Sequence, residues 1–463
     1  MSELHDLTAI AQLEELRSRR VSPRELVVHY LERIERLNPG LGALVEVTAD
    51  AAIHRAESLV PSAASLWGMP FADKDLVARA GVPTRYGSRA FLDNVPERSD
   101  DLALLLDDAG AISLGKTNTP EFGLTGYTET LIAPPARDPW DRELGSGGSS
   151  GGAAVAVAMG LLPFAPASDG GGSIRIPSAS VGVVGLKPSR GRLPVGSGLD
   201  GLAGLAVAGP IARNVADAAL LLDALVDGRP YPYAVRAPGS GPFLETALHP
   251  EGRFRIGVTT VSPWDDAEDI ELDPSAHLAV EETMTLLGAL GHGVDSVDWV
   301  PRGYATMFTT LWRASAARIR VEDAQLHLIE PITSWLIQSG CALGARDLAD
   351  ALAAAAVFER ETIATFSQFD AVLTPALAQS PRPIGWFDAE NAQRNFSQQV
   401  RYAPYSSFVN VAGLPAIVLP VSEAPDGHPV GVQLIGRPGG ERALLTIAAQ
   451  LEGSRELRHP PGW

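Results

Sequence analysis

At 463 residues the chain can bury a large core, and 45% hydrophobic with 20% charged residues marks a globular protein, not a disordered one. Its 55 acidic against 37 basic side chains give a net charge of −18, which argues against nucleic acid or an anionic membrane as a main partner. The one cysteine, Cys341, permits no disulfide within the chain, has no Cys/His cluster beside it, and reads as a small buried hydrophobe in a reducing cytoplasm.

The first residues, MSELHDLTAI, lack a basic start followed by a long apolar run, so no signal peptide is expected. No stretch reaches the ~18 uninterrupted apolar residues of a membrane helix. Leu7, Ile10, Leu13 and Leu16 recur at helical spacing. Ser22-Pro23-Arg24-Glu25 is a capping box with proline at the first helical position, and it opens a second helix that stops at Asn38-Pro39-Gly40. A strand over 43–47 and a helix over 49–59 follow. Residues 71–76 read as extended, which points Lys74 away from Asp73 and Asp75. Taken alone, one lysine between two aspartates is a solvated ion pair.

A helix over 101–109 and a strand over 111–115 overlap the phosphate-loop pattern G-x-x-x-x-G-K-T, running from Gly110 to Thr117. Such a loop must follow a strand and open a helix. Here the middle positions are β-like, a helix precedes them, and Pro120 comes soon after.

Residues 145–177, GSGGSSGGAAVAVAMGLLPFAPASDGGGSIRIP, organise the rest. A serine-bearing glycine run (147–152) leads into an apolar segment (153–162) suited to a buried helix, and a second run, Gly170, Gly171 and Gly172, ends at Ser173. A Gly/Ser run by itself is usually a flexible linker. Glycines at both ends of a buried helix instead suggest backbone brought close to something that side chains would exclude. The N–H groups of Gly170, Gly171, Gly172 and Ser173 can hold a developing oxyanion while the serine attacks a carbonyl. The stretch has no histidine. A lysine stripped of its charge by burial can serve as base, so Lys74 is the candidate, with Ser149 relaying the proton.

Beyond residue 209, a helix over 214–226 precedes a Pro/Gly-rich loop at 230–242. A strand over 256–261 and a helix from Asp273-Pro274 to near 291 then argue for an α/β fold with a mixed sheet. From 301 to 410 the glycine motifs vanish and aromatic residues thicken: Tyr304, Phe308, Trp312, Trp335, Trp386 and Phe387, with helices expected over 313–328 and 346–366. Most such aromatics pack cores, although several could line an apolar cleft. Strands over 369–375, 416–421 and 430–435 and a closing helix over 441–453 complete the chain.

Three blocks, GMPFADKDL, GGSSGG and DGGGSIRIP, with Lys74, Ser149 and Ser173 spaced 75 and 24 residues apart, resemble the amidase signature family. KTNTPEFG, GVVGLKPSRGR and NVAGLPAIVLPV…HPVGVQLIG extend the resemblance over nearly the whole chain. It implies a Ser-cisSer-Lys triad of Ser173, Ser149 and Lys74, with a cis peptide at Gly148–Ser149. It selects Ser149 over Ser150, which is left to cap the following helix. Asp169 and Arg175 match positions that brace the site, while Lys116 and Asn118 match structural ones. Asp73 and Gly170 depart from the family pattern, which has an aliphatic residue and often a threonine there. Contact between Asp73 and Lys74 would weaken the base.

The implied fold is α/β, a large mixed twisted β-sheet covered on both faces by helices. It is one domain over 1–463: N-terminal helices to 65, a catalytic core at 66–220, a helical substrate-pocket region at 300–410, and return strands with the closing helix at 411–463. The implied activity is hydrolysis of a small non-peptide amide, hydrophobic or aryl, through a serine acyl-enzyme. No metal or organic cofactor is expected, nor a nucleic-acid or membrane partner; a homodimer stays open. Two alternatives remain: a glutaminase subunit of a tRNA-dependent amidotransferase, and a nucleotide-binding protein using residues 110–117.

Overall fold

The computed structural model describes residues 3–193, 201–226, 237–239, 241–454 and 458–463. The capping box forms as the sequence dictates. Ser22 Oγ accepts the Glu25 N–H at 3.2 Å and Glu25 Oε2 accepts the Ser22 N–H at 2.8 Å. The helix it opens, Pro23–Leu37, buries Leu26, Val27, Tyr30 and Ile34 along one stripe.

Eleven strands occur among the described residues: β1 (Leu44–Val47), β2 (Pro70–Lys74), β3 (Ile112–Thr117), β4 (Phe164–Asp169), β5 (Val184–Lys187), β6 (Val207–Ala212), β7 (Arg255–Val258), β8 (Gly293–Ser296), β9 (Ala371–Pro375), β10 (Ala416–Glu423) and β11 (Pro429–Gly436). The large mixed sheet takes eight of them, in the order β4-β6-β5-β10-β11-β9-β7-β8. Only β7 pairs in parallel there, with β8 and β9; the other pairings are antiparallel. The remaining strands form a small sheet, β1-β3-β2, with β2 parallel to β3. Helices flank the large sheet: Arg175–Val181 and Pro274–Ala289 pack on its centre, and Val215–Val226 on β6. Contacts between β2 and β4 join the two sheets, so the residue ending β2 reaches the strand that leads to Ser173. Among the described residues no helix is long and apolar enough to cross a membrane.

Several expectations need correction. Gly115, Lys116 and Thr117 lie inside β3, which pairs with β1 on one side and β2 on the other, so residues 110–117 are not a phosphate loop; the Lys116 ammonium donates to the Val77 carbonyl. The helix expected over 313–328 is instead Tyr304–Ala316 followed by a short 3₁₀ turn, Asp323–Leu328. An unanticipated helix, Pro331–Cys341, leaves Cys341 at its exposed end, not buried. The buried helix expected over 153–162 is Gly151–Ala158, shorter at its C-terminal end. Within the Pro/Gly-rich loop expected at 230–242, residues 230–236 and 240 lie outside the described residues.

Candidate active site

Lys74 ends β2 with 1% of its surface exposed, and its Nζ sits among three hydroxyls: Ser149 Oγ at 2.8 Å, Ser150 Oγ at 2.8 Å and Ser168 Oγ at 3.2 Å. Burial pushes its pKa down to about 7, against the opposing pull of the Asp169 carboxylate. Asp73 faces away, as strand alternation requires. Its carboxylate takes Arg79 Nε at 2.6 Å and Ser113 Oγ at 2.8 Å. The departure at position 73 therefore serves an ion pair behind the strand and leaves the lysine untouched.

The peptide Gly148–Ser149 is cis. Here a side chain is excluded by packing: a Cβ on Gly148 would stand 2.6 Å from the Tyr127 backbone. Ser150, expected to cap the following helix, makes no capping bond. Its hydroxyl turns to Lys74 and to the Ser168 carbonyl, because the helix lies buried against the lysine. Its backbone N–H donates to the Ser173 carbonyl at 3.1 Å, tying the two glycine blocks together.

Ser173 follows β4 on the loop of three glycines and precedes the helix Arg175–Val181; it is 8% exposed. Ser149, Ser168 and Ser173 line one cavity, and Ser173 also lines a second. Among the described residues no hydrogen bond joins the Ser149 and Ser173 hydroxyls. They share the cavity rim, a spacing common before substrate draws such groups together.

The oxyanion donors are fewer than the sequence suggested. The Gly172 N–H is donated to Asp169 Oδ1 at 2.7 Å, which withdraws it from the set. Gly170, Gly171 and Ser173 N–H groups have no acceptor among the described residues. Gly172 holds φ +130°, and a Cβ there would stand 2.3 Å from Ser406 Oγ, so the loop requires glycine. Ser406 Oγ in turn donates to the Gly171 carbonyl at 2.7 Å, turning the loop's acceptor away from the cavity.

Asp169 and Arg175 brace this loop from behind, and both are buried. The guanidinium meets the carboxylate through Nε and Nη2, each at 2.9 Å, and its Nη1 reaches Gln433 Oε1 at 2.7 Å. Asn410 holds both partners, donating to Asp169 Oδ1 at 2.9 Å and accepting from Arg175 at 2.7 Å. Burial alone would raise the Asp169 pKa; Arg175, Lys187 and Asn410 outweigh it and hold the carboxylate ionised, well below its ordinary value.

Sequence reasoning missed Ser150 and Ser168 as lysine partners and Asn410 and Gln433 as anchors. Ser168 carried a weak signal, standing just before the block that begins at Asp169. Asn410 and Gln433 carried none, since they arrive from 235 and 258 residues away. Of the aromatics singled out, Phe308 and Trp312 line the cavities at Ser173, joined by Trp264 and Phe396, which were not. Trp312 lies over the glycine loop, 3.6 Å from where a Cβ on Gly170 would stand. Trp386 and Phe387 line a different cavity.

The Amidase family model matches residues 25–445. The protein named amidase AmiB2 in Mycobacterium tuberculosis is 37% identical over 463 residues, covering 97% of this chain and 96% of its own. Among solved structures, a 6-aminohexanoate cyclic dimer hydrolase complexed with substrate superposes with a TM-score of 0.90 at 29% identity, covering 99% of both chains. A bacterial aryl acylamidase of the amidase signature family superposes with a TM-score of 0.86 at 25% identity, covering 98% and 97%. The chain belongs to the amidase signature family and is a hydrolase of carbon–nitrogen amide bonds.

Proposed function

We propose that Ser173 is the nucleophile, Ser149 the proton relay and Lys74 the base in hydrolysis of a neutral, hydrophobic or aryl amide. The observation that carries the substrate class is the lining of the two cavities at Ser173. Trp264, Phe308, Trp312 and Phe396 stand on their walls, and no charged side chain is among the described residues that line them. Glutamine, with its own ammonium and carboxylate, would find no counter-charge there, which disfavours the amidotransferase alternative.

The hydroxyls around Lys74 support Ser149 as the relay. A neutral amine has two N–H donors and one lone pair. Ser150 Oγ donates to the Ser168 carbonyl at 3.3 Å, so it accepts from Lys74. Ser168 Oγ takes the second N–H, and the lone pair is left for the Ser149 hydroxyl. As Ser173 Oγ bonds to the amide carbon, its proton moves to Ser149 Oγ while the Ser149 proton moves to Lys74 Nζ. The N–H groups of Gly170, Gly171 and Ser173 receive the oxyanion; one such donor is typically worth about 3 kcal/mol. The relay then runs backwards and protonates the departing nitrogen as the C–N bond breaks, because an amine leaves poorly as an anion. Water attacks the acyl-enzyme through the same relay. The reading is of one catalytic domain over residues 1–463, working in the cytoplasm.

Labelling by a serine-directed fluorophosphonate tests it. The expected result is loss of both label and turnover of a simple aryl amide in Ser173→Ala; a label that persists moves the nucleophile elsewhere. Faster ammonia release from glutamine than amine release from the aryl amide overturns the substrate class.

A further inference from the structure

The helix Ala392–Tyr402 has two working faces. Phe396 and Gln399 line the cavity at Ser173, whereas Asn395 and Gln398 line a separate cavity of about 570 Å³. One side of that second cavity is aromatic. Tyr127 and Phe387 stack with ring centroids 4.2 Å apart, and Trp386 meets Phe387 edge-on at 5.0 Å. Two glutamates, Glu129 and Glu330, also line it. Glu129 accepts the Gly385 N–H through Oε2 at 2.9 Å. Glu330 is 9% exposed, and its Oε1 has no hydrogen-bond partner among the described residues. Among the described residues the one cationic side chain on the lining, Arg394, lies 3.5 Å from Asp388, which also lines it.

A buried carboxyl oxygen left without a donor is costly and rare in a native protein. The hydrolysis has no use for it. We propose that this cavity binds an organic cation, an ammonium group on an aromatic or aliphatic body, with Glu330 and Glu129 meeting the charge and Tyr127, Trp386 and Phe387 facing the body. Aromatic faces attract cations as well as apolar surface, so one wall serves both parts of such a ligand. An anion would meet two acidic groups and the negative faces of the rings, and a neutral apolar ligand would gain nothing from either carboxyl. The amine released by amide hydrolysis is itself ammonium at neutral pH and falls in this class.

Proton linkage gives the site a signature. Burial, with Glu121 and Glu129 adding to it, pushes Glu330 up to about 8, opposed by the Leu131 N–H and by Arg89. Glu330 is therefore mostly protonated at neutral pH. A bound ammonium favours the carboxylate, so binding expels a proton and tightens as pH rises toward about 8.

The test is titration calorimetry on the full chain with 2-phenylethylammonium chloride, at pH 6.5 and 8.5 in buffers of different ionisation heat. The neutral 2-phenylethanol is the control. The expected result is tenfold or tighter binding of the ammonium over the alcohol, stronger at pH 8.5, with proton release at pH 6.5. Glu330→Gln should lose at least tenfold in affinity together with the proton release. Trp386→Ala, at a half-buried lip of the cavity, should weaken binding severalfold with Glu330 in place, and serves if the first variant folds poorly. Equal affinity for alcohol and ammonium overturns the proposal. So does ammonium binding that survives both variants but is lost in Trp312→Ala, which would place the probe in the catalytic cavity.

Discussion

Lys74 closes β2 and Lys187 closes β5, and both are buried, with 1% and 0% of their surface exposed. Burial drives both pKa values down to about 7, and the Asp169 carboxylate pulls both back up. By titration alone they are twins. Their surroundings differ: Lys74 Nζ stands among the hydroxyls of Ser149, Ser150 and Ser168 on the edge of the cavity at Ser173, whereas Lys187 Nζ donates to the Pro188 carbonyl at 2.9 Å. Arg175 adds to the downward pressure on Lys187 and is absent from the influences on Lys74. A depressed lysine pKa is thus a product of burial; chemistry needs, besides, a hydroxyl aligned to deliver its proton.

The comparison breaks if the two lysines respond alike to mutation. Lys74→Ala should lower kcat/KM by ~10²–10⁴-fold with the fold intact by circular dichroism. On the proposed mechanism the neutral amine is the reactive form, so kcat/KM should fall as pH drops below about 7 and level off above it. Full activity of the alanine variant at pH 7 removes lysine from the reaction.

Arg175→Met tests the bracing pair between them. It would leave Asp169 buried without its partner, and loss of one member of a buried pair costs about 3–5 kcal/mol. Denaturant unfolding should show that loss; a variant as stable as wild type would mean that Asn410, Lys187 and the loop N–H groups can hold the carboxylate without Arg175.

Among the serines, Ser149→Ala should cost on the order of 10²-fold in kcat/KM and Ser150→Ala about tenfold, since the proposed relay runs through the first alone. Steady-state kinetics with the same aryl amide decides this, and equal losses would make the two hydroxyls interchangeable.

The smallest effect is expected for Lys187→Met, within about threefold in kcat/KM and with the pH limb unmoved. Its signature lies in stability. The unfolded chain binds more protons than the folded one between about 7 and the ordinary lysine value of 10.5, so stability rises with pH across that window. The methionine variant should show a shallower rise in thermal unfolding from pH 7 to 10.

Local patterns carried much of this molecule. The capping box at Ser22 and the strands β2, β9, β10 and β11 followed from turn chemistry and runs of apolar residues. Lys74, Ser149 and Ser173 were singled out because they stand in three blocks whose order and spacing resemble one family. The helical region did not read as well: Tyr304–Ala316 was placed a turn or more late, and Pro331–Cys341 went unseen. Aromatic residues there pack on several sides at once, which blurs the 3.6-residue period.

What the sequence determined alone is whatever depends on near neighbours: strand and helix spans, the glycines that let backbone approach backbone, and the blocks bearing the three polar residues. Only the tertiary structure decided that Gly172 gives its N–H to Asp169, that Ser150 and Ser168 share the lysine, and that Asp73 turns to Arg79. It alone brought Asn410 and Gln433 to Arg175. The reason is directional: a hydrogen bond is decided by atoms within about 3 Å, and residues hundreds of positions apart reach that range only once the sheets have packed.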